Sequence, residues 1–279
     1  MKRIVTMQDI SCIGKCSLTV ALPIISAMGI ETAVIPTAVL STHTGFQNFT
    51  FRDLTEDIQG IIDHWKKENF HLDAVYSGYL GSVKQIELVK ELFRQFHPAL
   101  KVVDPAMADD GRLYTGFDEK FVEAMRKLCA EADVIMPNLT EACFLTGRQY
   151  EADADETLIR QIMKELGQRG TGRVVMTGVR TSAGRLGALC YDAQKDSYTS
   201  YENERIDAHF HGTGDIFASC MTGALVRGYS MENALKLAVD YTLECIRETM
   251  KEPEHNWYGV NFEAAIPFLV KELEDNTRR

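Results

Sequence analysis

The 279-residue chain has no apolar run approaching the ~18 residues that a membrane-spanning helix needs, so the sequence predicts no membrane span. It has no excess of positive charge: 30 Lys+Arg stand against 40 Asp+Glu, a net charge of −10. That sign argues against non-specific binding to nucleic acid or anionic membrane, whose phosphates attract positive surfaces. A local basic site for a phosphorylated ligand is still compatible with it. There is no CxxC pair, and the seven cysteines (Cys12, Cys16, Cys129, Cys143, Cys190, Cys220, Cys245) are odd in number. Scattered through apolar segments, they read as reduced thiols serving as small core residues in a reducing compartment. The opening stretch, MKRIVTMQDISC, lacks signal-peptide character, because polar Gln8 and Asp9 end its apolar run. A cytoplasmic protein is the expectation. Repeats, low-complexity stretches and Gly/Ser/Pro-rich linkers are also missing, which favours a single domain over residues 1–279. At 45% hydrophobic and 25% charged residues, the composition is that of a soluble globular protein. The length suffices to bury a core without disulfide or metal staples.

What is present is an alternation of short apolar runs with amphipathic ones. Strand-like runs are Ile4–Met7, Thr32–Leu40, Asp73–Ser77, Lys101–Val103, Asp133–Met136 and Arg173–Met176. Between them Ile86, Val89, Phe93 and Phe96 share one helical face, as do Ile159, Ile162, Met163 and Leu166, with Gly167 as the expected stop. The alternation predicts an α/β fold, a mostly parallel sheet with helices on both faces. Arg185–Tyr191 and Ser197–Glu204 flank a polar Asp192–Asp196 turn and predict an antiparallel edge. Helices are expected from near Asp215, after the N-cap candidate Ser230, and over Asn261–Leu273. Two polar connections, Ser41–Asp53 and Ala106–Gly116, follow strands and so fall at the carboxyl edge of the sheet, where open α/β folds bind ligands.

Four motifs carry chemistry. Gly212-Thr213-Gly214-Asp215 opens a helix, which suits either an anion held by its backbone N–H groups and the helix dipole or a plain Asp cap on a Gly turn. The other GTG, Gly170-Thr171-Gly172, precedes a strand and reads as a turn. Asn138 and Glu141, at i and i+3 after a strand, suit either a hydrated Mg²⁺ or an ordinary helix start. Asp104 ends a buried strand, where a carboxylate is costly unless it is paired or metal-linked, and Asp109-Asp110 follows five residues on. Asp9, at the end of the first strand, is expected either to attract a positively charged substrate group or to cap the Ser11–Ser17 backbone. Other motifs fail. Ile13-Gly14-Lys15-Cys16 hints at a P-loop, but Asp9 stands where its first Gly belongs and Cys16 where Ser or Thr belongs. GxGxxG, HExxH and GxSxG do not occur, and His209 and His211 lack neighbours at metal-ligand spacing. Cys12 and Cys16 read as packing residues.

On Ser41-Thr42-His43-Thr44-Gly45-Phe46, Ser77-Gly78-Tyr79, Val103-Asp104-Pro105, Pro137-Asn138-Leu139-Thr140-Glu141 and Gly212-Thr213-Gly214-Asp215, the chain resembles the ribokinase superfamily over nearly its whole length. Within it the similarity is greatest to the pyridoxal/pyridoxamine kinases. The resemblance implies a ribokinase-like three-layer sandwich and ATP-dependent phosphorylation of the 5′-hydroxymethyl group of a B6 vitamer. Asp215 would be the base, and Gly212, Thr213 and Gly214 the anion hole for the γ-phosphoryl group. Asp104, Glu141 and Asp109 would organise Mg²⁺, Asn138 and Thr177 would contact ATP phosphates, and Thr44 and Tyr79 would line the pyridine pocket. A homodimer and a monovalent cation such as K⁺ are further implications. Sequences of this resemblance often carry Ser at Asp9 and Gly within Ala106-Met107-Ala108. The charge at Asp9 leads us to expect pyridoxamine to be preferred over pyridoxal. An aspartate of ordinary pKa, near 3.9, would orient the hydroxyl and take its proton as the P–O bond forms rather than ionise it beforehand. Alternatives are a hydroxymethylpyrimidine kinase, a branch that usually has Cys where Asp215 stands, and a non-catalytic B6-binding protein on the same fold.

Overall fold

The computed structural model describes residues 1–179, 184–206 and 210–277. The first half runs β1 (Arg3–Ser11), α1 (Leu18–Ala27), β2 (Glu31–Leu40), β3 (Phe51–Asp53), α2 (Thr55–Lys67), β4 (Ala74–Ser77), α3 (Val83–Phe96) and β5 (Leu100–Val103). It continues through β6 (Ala108–Asp109), β7 (Arg112–Leu113), α4 (Glu119–Ala130), β8 (Val134–Ile135), α5 (Leu139–Thr146) and α6 (Glu156–Gln168). The chain then forms β9 (Arg173–Val179), β10 (Arg185–Asp192), β11 (Ser197–Glu204), α7 (Thr213–Val226), α8 (Met231–Met250) and α9 (Phe262–Thr277). No helix among the described residues is long and apolar enough to cross a membrane.

Nine strands form one sheet in the order β11-β10-β9-β8-β5-β4-β1-β2-β3. Strands β2, β1, β4, β5, β8 and β9 are parallel, whereas β3 and the β10–β11 pair run antiparallel at the two edges. The period of two decides which face each side chain serves. Val5, Met7, Val75, Val103, Ile135, Val174 and Met176 face one core, closed by α2 to α6. Their neighbours Ile4, Ala74, Tyr76, Val102, Val134 and Val175 face the other, closed by α1, α7, α8 and α9. The helices on both faces make this the α/β sandwich that the alternation predicts. Because β1 lies between β2 and β4, the chain winds away from it on both sides, and the carboxyl ends of β1 and β4 mark the switch point at which open α/β sheets bind ligands.

Local details depart from the sequence reading. The Ser41–Asp53 connection ends in β3, and Ala106–Gly116 contains the separate β6–β7 hairpin; strands of two or three residues leave no alternation to read. Gly167 does not stop α6 but lies inside it, because the Tyr191 ring packs so close that a Cβ there would sit 2.7 Å from it. Cys12 is exposed rather than packed; among the remaining cysteines Cys16 is half-buried and the other five are buried. Ser230 does cap α8, its side chain accepting from the Asn233 N–H.

Candidate active site

At the carboxyl edge, β1 carries Asp9 into a break in the ladder. Pro36, which has no N–H to give, stands opposite Gln8, and the β1–β2 register shifts before Ile10. Asp9 is 4% exposed. Its carboxylate accepts from the Ser11 hydroxyl at 2.8 Å and from the Ser17 side chain, yet burial raises its pKa. Asp9 thus braces the Ser11–Ser17 segment, with its carboxyl buried at the carboxyl end of the sheet. After β4, Gly78 lets the Gln8 side chain pass, since a Cβ would come within 2.5 Å of Gln8 Oε1. Tyr79 follows, half-buried, its ring 5.7 Å from Phe117 and its hydroxyl pKa pushed up to about 12 by burial and the nearby Asp9. Thr44 is exposed on the connection after β2. That connection is fastened by His43, whose ring stacks among Phe46, Trp257 and His211 and meets the Tyr258 carbonyl at 3.2 Å. Burial and His211 lower the His43 pKa. His209 lies outside the described residues.

Gly212 begins α7 with φ 79°, in the left-handed region that glycine tolerates, and a Cβ there would lie 2.1 Å from the Lys15 carbonyl. Both constraints demand glycine. Asp215 stands in the first turn of α7, partly accessible at the cleft but largely surrounded by protein. Its pKa is not the ordinary one expected from sequence but about 7: burial raises it, the Ser17 backbone N–H opposes the rise, and Asp9 adds to it. A carboxyl so tuned is a far better proton acceptor near neutrality.

Asp104 is 9% exposed at the end of β5, and its pKa is driven well up by burial and by the charges of Glu141 and Asp215. Glu141 closes a capping box with Asn138: the Asn138 side chain accepts from the Glu141 N–H, and Glu141 accepts from the Asn138 N–H. Glu141 also accepts from the Met107 N–H at 3.1 Å. Burial nonetheless pushes its pKa up to about 8, and Asp109 contributes to the rise. The Asn138 amide donates to the Ala108 carbonyl at 2.8 Å, leaving one N–H of that amide for another acceptor. Asp109 is exposed on β6 and caps the Asp110 N–H. Asp104, Glu141 and Asp215 therefore form one electrostatically coupled group, with Asp109 at its rim.

Beside this group lies a cavity of about 280 Å³, running from Thr213 and Gly214 between β10–β11 and α7–α8. Thr177 is at its inner end; Leu186, Asn203, Phe217, Leu243 and Ile246 form much of its wall. Thr177, Thr213 and Gly214 thus line one and the same cavity. Its apolar wall residues were not identified from sequence: Leu186, Phe217 and the α8 face of Val239, Leu243 and Ile246 come from three separate elements, and that helical face reads as ordinary core. A shallower hollow of about 420 Å³ between α3 and α4 contains none of these residues.

This α/β sheet gathers a glycine turn and carboxyl groups at its carboxyl edge, where open α/β folds bind small ligands. The sequence profile of the phosphomethylpyrimidine kinase family matches residues 22–259, and the chain belongs to that family, within the ribokinase-like superfamily that also holds the pyridoxal kinases. Among solved structures, the chain is 39% identical to a provisionally named phosphomethylpyrimidine kinase of Bacteroides thetaiotaomicron crystallised with pyridoxal, with TM-score 0.90 over 96% of this chain and 95% of that one. It is 32% identical to the pyridoxal kinase of Lactobacillus plantarum, with TM-score 0.91 over 99% of both chains. Among curated proteins, the hydroxymethylpyrimidine/phosphomethylpyrimidine kinase of Haemophilus influenzae is 29% identical over 200 residues, 68% of this chain and 73% of that protein.

Proposed function

We propose that the protein transfers the γ-phosphoryl group of ATP to the 5′-hydroxymethyl group of a B6 vitamer. The observation that carries this reading is Asp215: a carboxyl with pKa about 7, in the first turn of α7 directly after the glycine turn, within electrostatic reach of Asp9, which also acts on Tyr79. Phosphoryl transfer asks the protein for positioning and charge stabilisation. In this reading the vitamer ring lies by Tyr79 and Thr44. Asp215 accepts a hydrogen bond from the hydroxymethyl group and takes its proton as the new P–O bond forms and the bond to ADP breaks. The N–H groups of Gly212, Thr213 and Gly214 face the charge on the transferring group. The nucleotide occupies the 280 Å³ cavity, with Thr177 and the remaining Asn138 N–H toward its phosphates.

The donor set fits Mg²⁺. Asp104, Glu141 and Asp109 offer only oxygen, and the first two are buried carboxyls whose ionisation a cation would favour. No group of three His, Cys, Asp or Glu among the described residues gathers closely enough to hold an ion unaided. Mg²⁺ meeting Asp104 and Glu141 would complete its shell with water and phosphate oxygens, and it would neutralise phosphate charge. A homodimer and a monovalent-cation requirement belong to the same proposal.

The family profile favours a second reading, phosphorylation of hydroxymethylpyrimidine, whose reacting group is also a hydroxymethyl on an aromatic ring. ADP release measured with Mg²⁺ and ATP on pyridoxamine, pyridoxal, pyridoxine, hydroxymethylpyrimidine and ribose separates the two. The first reading expects turnover on B6 vitamers above the rest. Turnover confined to the pyrimidine would replace it, and binding of B6 without turnover on any compound would make the protein a binder.

A further inference from the structure

The β1–α1 loop holds the Gly14-Lys15 pair whose P-loop likeness fails in the sequence, and its lysine does something else. Lys15 Nζ donates to Asn261 Oδ1 at 2.9 Å and to Glu263 Oε2 at 2.9 Å, at the start of α9, so its ammonium is committed away from the glycine turn. The side chain is only 20% exposed. Its stem packs on Gly259, where a Cβ would lie 2.6 Å from Lys15 Cβ. The main chain of this loop is unusual as well. Lys15 (φ 49°) and Ser17 (φ 52°, ψ −133°) both have a positive φ, which non-glycine residues keep only where their surroundings hold them. Two groups of this constrained backbone reach the site: the Lys15 carbonyl lies against Gly212, and the Ser17 N–H is close enough to Asp215 to favour its ionised form.

We propose that Lys15 is a positioning residue: anchored on Asn261 and Glu263, it holds the loop in its strained, positive-φ form, so that the Lys15 carbonyl seats Gly212 and the Ser17 N–H faces Asp215. The inference rests on the reading of Asp215 as the base. A half-exposed ion pair contributes little by itself. Its role here is as a tether, because the same residue carries the anchored ammonium and the carbonyl beneath Gly212. Without the tether the loop can relax, and Asp215 loses a neighbouring N–H that favours its ionised form. Binding of vitamer and nucleotide uses other residues, so the loss falls on turnover.

The test compares Lys15→Met, which keeps the stem, with Lys15→Arg, which keeps the charge, each alone and combined with Asp215→Asn. Lys15→Met should lower kcat about tenfold with both KM values within about twofold, and Lys15→Arg should restore most of it. In the Asp215→Asn background Lys15→Met should lower residual turnover by clearly less than in wild type, because the route through Asp215 is already cut and only the seating of Gly212 remains to be lost. Unchanged kcat, or an equal loss in both backgrounds, would overturn the proposal. Amide hydrogen exchange decides it independently of any substrate: Ser17 should exchange at least about tenfold faster in Lys15→Met, while amides in the middle of β1 and α7 stay as in wild type. If wild type phosphorylates no vitamer, the function proposed above fails, and the exchange of Ser17 still upholds or overturns the tether.

Discussion

Replacing Asp215 by Asn should make the protein more stable while removing its activity. In the unfolded chain this carboxyl titrates near 3.8, and in the folded protein near 7. Below pH 3.8 both states are protonated, so the group adds nothing to the difference between them. As pH rises toward 7 the unfolded state gains the free energy of ionisation that the folded state still forgoes. The folded protein therefore loses stability through this window. Each tenfold change in proton affinity is about 1.4 kcal/mol, which gives a ceiling of about 4 kcal/mol above pH 7. Solvent reaching the partly open cleft screens this to about 1–3 kcal/mol. Asn keeps an acceptor for the Ser17 N–H and carries no charge, so it avoids the loss. In the metal-free protein at pH 8, Asp215→Asn should raise the thermal midpoint by about 5 °C, and the gap should shrink as pH falls toward 4. Differential scanning calorimetry at several pH values measures both. A midpoint below wild type at pH 8, or a gap independent of pH, would refute the electrostatic account of this site.

Gly212→Ala should cost about 2–4 kcal/mol of stability and abolish turnover, because its Cβ would lie 2.1 Å from the Lys15 carbonyl at φ 79°; chemical denaturation with parallel activity assays checks this. Leu243→Trp fills the 280 Å³ cavity from α8 and should raise KM for ATP at least about tenfold with the vitamer KM unchanged, as steady-state kinetics with each substrate varied would show. Asp9→Ser should lower the pyridoxamine-to-pyridoxal ratio of kcat/KM, since it removes the one carboxyl placed beside Tyr79 in β1; an unchanged ratio would leave Asp9 as a brace for Ser11 and Ser17 only.

Long elements with a regular period were legible in the sequence. The continuous apolar runs such as Ile4–Met7 mark the parallel strands, which are buried on both faces, and the Ile86–Phe96 face marks α3, because burial on one side of a helix imposes a period. Helix α1 was not legible, since Pro23 lies inside it and a proline argues against a helix interior. Strand β3 and the β6–β7 hairpin are too short for a pattern. Asp104, Glu141 and Asp215 could be singled out because each stands at a strand or helix end in a distinctive local motif. Their coupling, and the rise of Asp215 to about 7, depend on burial and on approach across the sheet edge, which one-dimensional spacing does not encode. The Lys15 tether is harder still to see, joining residues 246 and 248 positions apart.

The central claim is that Asp215 accepts the proton from a B6 hydroxymethyl group during phosphoryl transfer. The most direct measurement follows the 5′-phosphorylated vitamer by mass spectrometry, with Mg²⁺ and ATP at pH 8, for wild type and Asp215→Asn. Product formation by wild type that falls about 10²–10⁴-fold in the variant, with ATP binding retained, is the predicted result. Near-wild-type product formation by Asp215→Asn would contradict the account.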